Sequence, residues 1–222
     1  MKCISYCIIT DENTCDPLVK ENHMKIYDIS QEIISSDIYP GDPSPRLNKI
    51  SDMAKGDLYN LSEFSMCAHN GTHLDAPRHF IADGKTIGEI DLSSAIGSCY
   101  VAEPIGALDG SEAKRILENA GKYTDAKKRI LIKGQAEVTK EAAIIFRDGG
   151  VRLIGVETQS VGPLLSPMEV HKILLGKDIL LLEGLRLGEV EEGAYTLFAA
   201  PINLGDSEGA PCRAILIDQL FI

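Results

Sequence analysis

The sequence lacks the basic clusters and the long apolar runs that mark several large classes of protein. Its 22 basic residues are outnumbered by 33 acidic residues, which gives a formal net charge of −11, and no block of lysine and arginine stands out. A binding surface for nucleic acid or for an anionic membrane is therefore not expected. The longest apolar runs, such as Ile179–Leu182, are far too short to cross a bilayer. We therefore expect a soluble protein.

The six cysteines lack the spacing of the common metal and redox motifs, since no pair is separated by two residues. In a chain that is long enough to bury its own core, such scattered cysteines are expected to be reduced. The N-terminal segment also lacks the long apolar stretch of a secretory signal, which favours a cytoplasmic location. Cys3, Cys7 and Cys15 could in principle hold a metal together with His23, but their spacing matches none of the usual zinc patterns.

A length of 222 residues allows one large domain or two small ones, and neither a linker nor an internal repeat divides this chain. Alternating apolar residues begin at Met24, so we predict an N-terminal extension over residues 1–23 and one domain over residues 24–222. The segment 39–45 is dense in proline and glycine and is predicted to be a loop. Strands are predicted in the first half at residues 25–30, 57–67 and 98–103.

The second half of the chain alternates between strand and helix patterns. Strands are predicted at residues 129–133, 151–157, 179–182, 195–199 and 214–222, and helices at residues 111–120, 139–147 and 166–175. Ser166, Pro167 and Glu169 predict a capping box and a first-turn proline for the last helix. The alternation between residues 129 and 183 predicts a parallel βαβαβ unit with right-handed crossovers. The fold class is therefore predicted to be α/β, a single mixed domain with additional strands around this unit.

One segment, residues 69–80, concentrates the residues that bind metal ions. Three of the five histidines, His69, His73 and His79, lie within eleven residues, and Asp75 lies among them. In an extended chain His73 and Asp75 are two residues apart and point to the same side. Imidazole and carboxylate ligands without a thiolate suit zinc or manganese. A histidine-rich surface loop is the alternative interpretation.

Further ligands are expected where the predicted parallel strands end, which is the usual position of sites in α/β folds. Glu157 and Glu183 lie there, and Glu183 follows four apolar residues, so its burial without a partner would be costly. A solvated strand end is the alternative for Glu183. His171 lies on a predicted helix, and a single helical histidine is more often a packed or surface residue than a ligand.

The motif His69-x3-His73-x-Asp75-x-Pro77-x-His79-Phe80 resembles the signature of the cyclase family of metal-dependent hydrolases, which includes the bacterial kynurenine formamidases and the isatin hydrolases. Other blocks resemble the same family, and they are Tyr39–Pro43, Gly155–Val161, the His171 helix, Glu183–Leu185 and Gly209–Ala214. The resemblance covers residues 25–222 and implies a swivelling β/β/α-like fold.

Carried over residue by residue, the resemblance implies two divalent metal ions, zinc or manganese. His69, His73 and Asp75 would bind one ion, and Asp75 and Glu183 would bridge to a second ion that His171 also holds. His79 would be a proton shuttle and not a ligand. The residues implied to bind substrate, or to support the ligands, are Tyr39, Thr72 and Ser160. The resemblance also implies a homodimer or a homotetramer.

The implied function is a binuclear metal-dependent hydrolase that cleaves an amide bond of a small-molecule substrate. The first choice is an aryl-formamidase that converts N-formylkynurenine to kynurenine and formate, and the alternative substrate is a cyclic amide such as isatin. A metal-binding structural or interaction domain is the non-enzymatic alternative. The chain departs from the family at Tyr39, where kynurenine formamidases tend to have tryptophan, and it contains no tryptophan. The phenol ring of Tyr39 offers less area for aromatic contact than an indole ring.

Overall fold

The structure, a computed structural model, describes residues 24–163 and 166–218. The predicted extension over residues 1–23, with Cys3, Cys7, Cys15 and His23, lies outside the described residues, as does the end of the last predicted strand. The elements of the described part are β1 Ile26–Asp28, β2 Arg46–Ser51, β3 Leu61–Ser65, β4 His73–Asp75, β5 Ile96–Ala102, α1 Gly110–Ala120, β6 Arg129–Ile132, α2 Lys140–Asp148, β7 Leu153–Val156, α3 Met168–Leu175, β8 Leu180–Glu183, β9 Gly193–Phe198, β10 Gly209–Pro211 and β11 Ile215–Ile217.

Nine of these strands form one mixed sheet in the order β1-β11-β9-β5-β6-β7-β8-β4-β10. The four central strands β5, β6, β7 and β8 are parallel, and every other pairing in the sheet is antiparallel. The predicted βαβαβ unit is therefore confirmed as β6-α2-β7-α3-β8. Since β5 is also parallel to β6, helix α1 adds one more crossover of the same kind. The predicted α/β class with a single mixed domain is confirmed.

Both faces of the central strands are buried, because neighbouring side chains of one strand enter different apolar clusters. Ile130 and Ile132 of β6 pack with residues of the three helices, such as Phe146 of α2. Leu131, between them, packs with Leu74 of β4 and with residues of β8, β9 and β11. This two-sided burial explains the continuous apolar runs of the parallel strands. No helix in the described part is long and apolar enough to cross a membrane.

Side chains cap the N-termini of two of the three helices. Asp109 accepts hydrogen bonds from backbone amides at the start of α1, and Thr139 does so at the start of α2. The predicted capping box of α3 is wrong. Pro167 occupies the N-cap position in a helical conformation and makes no side-chain capping bond, so the helix begins one residue later than Ser166 predicts. Glu169 instead pairs with Lys140 of α2, with Nζ and Oε1 2.5 Å apart.

A separate two-stranded sheet, formed by β2 and β3, was only half predicted. The sequence pattern predicts a strand at β3, within residues 57–67, but it gives no strand at β2. Every residue of β3 is exposed, and β2 is exposed except for its last residue. The two apolar residues of β2, Leu47 and Ile50, are three positions apart, so β2 lacks the two-residue alternation on which a strand prediction depends.

Candidate metal centre

The sheet brings the histidine segment to the end of the parallel unit. Strand β4 inserts antiparallel beside β8, and in that register His73 lies opposite Glu183. His73 and Asp75 are two residues apart on β4 and therefore project to the same face. His79 follows on a short 3₁₀ helix, Pro77–His79, and His171 reaches the same place from α3. The structure therefore gathers every residue that was predicted to hold metal or to move protons.

The side chains converge on the carboxylate of Asp75, which is completely buried. Asp75 Oδ1 lies 2.8 Å from His69 Nδ1 and 3.3 Å from His73 Nε2, while Oδ2 lies 3.8 Å from His171 Nε2 and 3.9 Å from His79 Nε2. Glu183 faces the same space, with Oε2 3.4 Å from His73 Nε2 and Oε1 3.3 Å from His171 Nε2. Two carboxylates and four imidazoles thus meet in one cluster of side chains.

Backbone groups orient three of these side chains. His73 Nδ1 lies 3.1 Å from the carbonyl of Gly71, and His171 Nδ1 lies 2.9 Å from that of Pro167. In the neutral form of each imidazole, a proton on Nδ1 satisfies the carbonyl and leaves Nε2, on the side of the carboxylates, able to bind a cation. The amide of Val161 donates to Glu183 Oε1 at 2.8 Å. The fold itself therefore holds these potential donor atoms in place.

The electrostatics of the centre are those of a site that attracts a cation. Burial raises the pKa of Asp75, but the neighbouring imidazoles of His69 and His73 reverse that effect and hold the pKa well below its usual value. Burial lowers the pKa of His73, yet the carboxylates of Asp75 and Glu183 outweigh it and raise the pKa to about 10. At His171, too, burial lowers the pKa, but the carboxylates of Glu183 and Asp75 outweigh it and raise the pKa. Two buried carboxylates thus require nearby positive charge, which protons on the imidazoles or a metal ion can supply.

Two buried polar atoms test whether the residues fit a metal. Within residues 24–163 and 166–218, His73 Nε2 and Asp75 Oδ2 have no hydrogen-bond partner, because their nearest neighbours lie at ion-pair distances without hydrogen-bond geometry. A buried polar atom without a partner is costly unless something else binds it. Both atoms are of the kinds that bind zinc and manganese, and they face the same space. The residues therefore fit a divalent cation.

The donor atoms fall into two groups that share Asp75. One contains His69, Asp75 and His79, and the other contains His73, Asp75 and Glu183; in each, the atoms lie within 4.8 Å of one another. The shared carboxylate agrees with a bridging role for Asp75. The groups differ from the predicted ligand sets, in which His79 binds no ion and His171 binds one. The division of ligands between two ions stays a prediction.

His79 differs from the other imidazoles in its exposure and its pKa. Its side chain is 29% exposed, whereas those of His73 and His171 are 3% exposed. Burial lowers the pKa of His79, and the neighbouring His69 and His171 add to this effect against the attraction of Asp75. A neutral, accessible imidazole beside the centre can accept a proton at neutral pH.

Thr72 is buried, and its hydrogen bonds hold the segment just before β4 in place. Its Oγ1 donates to the carbonyl of Gly184 at 2.7 Å and accepts from the amide of Gln31 at 2.9 Å. Since the single hydroxyl proton is directed to Gly184, the geometry favours a supporting role over contact with substrate. Glu157, the other strand-end carboxylate, accepts from the amides of Gly134 and Leu187 and likewise supports loops.

Ser160 lines a cleft of about 540 Å³, whose lining residues include none of the histidines and carboxylates of the centre. The following residue, Val161, is the one whose amide binds Glu183. The cleft is also lined by Ile38 and Pro40, which flank Tyr39, and by the polar residues Gln135, Glu137 and Gln159. Tyr39 is half-buried and is not one of the lining residues, so its contact with substrate stays a prediction.

Glu208, which no sequence motif indicated, reaches the centre from the segment before β10. Its Oε1 lies 3.3 Å from His69 Nε2. Glu208 directly precedes Gly209, in a block that resembles the closing strands of the family, but the strand pairing was needed to place it. Strand β10 pairs with β4, with Gly209 opposite Asp75, and this pairing carries Glu208 to His69.

Taken together, the fold and the centre define an α/β protein with a histidine and carboxylate site suited to divalent cations. The family described as "Putative cyclase" matches residues 27–163. A kynurenine formamidase from Delftia acidovorans is 32% identical over 203 residues, covering 86% of this chain and 97% of that protein. The chain therefore belongs to the cyclase family.

Solved structures agree with this assignment. A potential metal-dependent hydrolase with cyclase activity superimposes with a TM-score of 0.73 at 26% identity, covering 89% of this chain and 99% of that chain. An isatin hydrolase bound to the product analogue thioisatinate gives a TM-score of 0.76 at 18% identity, covering 87% and 92%, which shows a shared fold. These similarities support a hydrolase of the cyclase family, as the sequence motif predicted.

Proposed function

We propose that this protein is a binuclear metal-dependent amide hydrolase and, most specifically, an aryl-formamidase acting on N-formylkynurenine. The observation that carries the proposal is the buried pair Asp75 and Glu183, surrounded by imidazoles and with ligand atoms left unpaired. His69, His73, Asp75, His171 and Glu183 would hold two zinc or manganese ions. Such ions supply Lewis acidity and an activated water at neutral pH. The similarity to a kynurenine formamidase supports the choice of substrate.

His79 is proposed to move the proton that the reaction requires. Hydrolysis adds water to the formyl carbon, breaks the carbon–nitrogen bond and leaves a nitrogen that must receive a proton. The imidazole of His79 can take the proton from the attacking water and give it to the leaving nitrogen, because its lowered pKa keeps it neutral beforehand. Its half-buried position lets it reach both the centre and the solvent side, where a substrate would enter.

The cleft lined by Ser160 is proposed to receive the body of the substrate. Its volume of about 540 Å³ lies within the range of small-molecule sites. Ile38 and Pro40 offer apolar contact in the cleft, and Ser160, which precedes the Val161 that binds Glu183, offers a hydroxyl group. Tyr39 would provide the aromatic surface that an indole provides in relatives.

Steady-state kinetics on N-formylkynurenine test this function. Purified protein should release formate and kynurenine, a chelator should abolish the activity, and added zinc or manganese should restore it. Isatin is the alternative substrate and should be measured in parallel. Turnover of isatin without turnover of N-formylkynurenine would leave the hydrolase class standing and reject the formamidase assignment. Full activity in protein shown by elemental analysis to be free of metal would reject the metal-dependent mechanism.

The non-enzymatic alternative, a metal-binding structural domain, explains less of the structure. A purely structural site needs no partly exposed imidazole with a lowered pKa beside its buried carboxylates. A protein that binds metal tightly and turns over none of a panel of formamides and cyclic amides would favour it.

A cytoplasmic location remains part of the proposal, since the cysteines at positions 67, 99 and 212 are free thiols.

We also propose a homodimer or homotetramer, in which the hairpin arm, residues 46–65, contacts a second copy of the chain. The arm exposes large apolar side chains, among them Leu47 and Phe64 at 58% and Leu58 at 92%. A lone two-stranded hairpin is marginally stable in water, so a covering surface is expected. The arm has three basic and three acidic residues, in a chain of net charge −11, so it carries little charge that would repel another copy.

Size-exclusion chromatography with light scattering measures the oligomeric state. Wild-type protein should elute as a dimer or tetramer, and a variant with both Leu47→Ser and Phe64→Ser should shift toward monomer. Leu92→Ser is the matched control, because Leu92 is 50% exposed but lies outside the arm. A monomeric wild-type protein at micromolar concentration would reject the proposed assembly.

A further inference from the structure

The imidazole of His69 is turned the opposite way from those of His73 and His171. The latter two direct Nδ1 at a backbone carbonyl and Nε2 at the carboxylates of the centre. His69 instead directs Nδ1 at Asp75 Oδ1, 2.8 Å away, and Nε2 outward to Glu208 Oε1, 3.3 Å away. Its inward nitrogen is therefore Nδ1.

A histidine that binds a cation through one nitrogen carries its proton on the other, and that proton needs an acceptor. For His73 and His171 the acceptor is a carbonyl that the backbone fixes. For His69 the atom at the outer nitrogen belongs to a side chain, the carboxylate of Glu208. The side chain of Glu208 is 45% exposed, and that of His69 is 14% exposed, so this contact lies at the rim of the centre.

The segment around Glu208 is built against the same ring. The carbonyl of Glu208 accepts from the amide of Ala76 at 2.9 Å, which ties it directly to the end of β4. The ring of His69 rests on Gly209, where a Cβ atom would lie 2.5 Å from His69 Cε1. The ring of His69 is thus confined between the backbone of Gly209 and the carboxylate of Glu208, which contacts the outer nitrogen, Nε2.

We propose that Glu208 is a positioning residue, which accepts the Nε2 proton of His69 and so presents Nδ1 to a bound cation. This inference rests on the proposed metal-dependent function, because it assumes that His69 is a ligand. It assigns to Glu208 no contact with the substrate and no step in the reaction. It predicts that the carboxylate tightens cation binding through the orientation of His69.

Cation affinity, measured by competition between metal-stripped protein and a chelating dye for zinc, provides the first test. Glu208→Ala should weaken zinc binding by roughly 10- to 100-fold, the usual effect of removing such an outer partner of a ligand. Glu208→Gln should recover part of the loss, since an amide oxygen can still accept the proton. Asp206→Asn, in the same exposed segment, is the matched control and should bind zinc as tightly as wild type.

Long-range proton–nitrogen NMR of the histidine rings provides the second test. A merely structural role of Glu208 would not change the tautomer of His69 that this method reads. With zinc bound, wild-type His69 should show the metal at Nδ1 and the proton at Nε2, opposite to His73 and His171. Glu208→Ala should lose this single-tautomer signature at His69 alone. If Glu208→Ala failed to fold, the Glu208→Gln variant and the wild-type tautomer would decide the matter.

Three results would overturn the inference. The first is a wild-type tautomer with the metal at Nε2 of His69. The second is a Glu208→Ala protein, folded by circular dichroism, whose zinc affinity equals that of wild type. The third is a zinc stoichiometry reduced by one ion in both Glu208 variants, which would make Glu208 a ligand. Failure of the proposed hydrolase function would look different, because the affinity and tautomer changes would remain while no amide was turned over.

Discussion

Asp75 belongs to both groups of donor atoms, so the loss of its charge is expected to weaken both cation sites at once. Asp75→Asn keeps the size of the side chain and removes the negative charge. At an effective dielectric constant near 20, two unit charges about 4 Å apart interact by about 4 kcal/mol. A carboxylate that binds directly to a cation lies closer than that. We therefore expect zinc affinity to fall by about 10³-fold or more, since about 1.4 kcal/mol corresponds to a factor of ten.

The assay is zinc content by elemental analysis after dialysis against a zinc buffer, together with competition against a chelating dye. Wild-type protein should retain two ions per chain, and Asp75→Asn should retain neither ion at the same free zinc concentration. Asp83→Asn is the control, because Asp83 is an exposed carboxylate near the same segment of the chain. An Asp75→Asn protein that kept both ions within about threefold of wild-type affinity would refute the shared role of Asp75.

Three further predictions follow from the same geometry. His79→Ala should keep the metal content near wild type and lower turnover by roughly 10²-fold or more, as expected for a general acid and base; metal content that fell in step with activity would make His79 a ligand. Gly209→Ala should reduce zinc content and activity together, because the added Cβ would lie 2.5 Å from His69 Cε1; a variant with unchanged zinc affinity would show that the ring can move freely. Metal-free protein should lose stability as the pH rises from about 6.5, the usual pKa of an unfolded imidazole, through the raised pKa of His73 at about 10. The sign follows because a pKa raised in the folded state stabilises the protein only while the imidazole is protonated. Thermal melting should show a smaller decline in a His73→Gln variant, and equal declines in the two proteins would contradict the assignment.

The local patterns of the chain were enough to predict the parallel unit and one edge of the centre. Strands β6, β7 and β8 are continuous apolar runs separated by helical periods, and both signals arise from neighbouring residues. The common side of His73 and Asp75 follows from the two-residue repeat of a strand, whatever that strand pairs with. Family resemblance then added His171, Glu183 and the role of His79, which spacing alone left open.

Tertiary structure decided which residues face His73 and Asp75 of β4 across the centre. The insertion of β4 between β8 and β10 sets His73 opposite Glu183 and carries Glu208 to His69, and neither pairing has a signature in the sequence. The orientation of each imidazole depends on which acceptor the fold places behind it: a carbonyl for His73 and His171, and a carboxylate for His69. Strand β2 was not predicted because its two apolar residues, Leu47 and Ile50, are three positions apart and give no two-residue period. Long-range pairing is decided by packing of the whole chain, whereas periodicity reports only the environment of each segment.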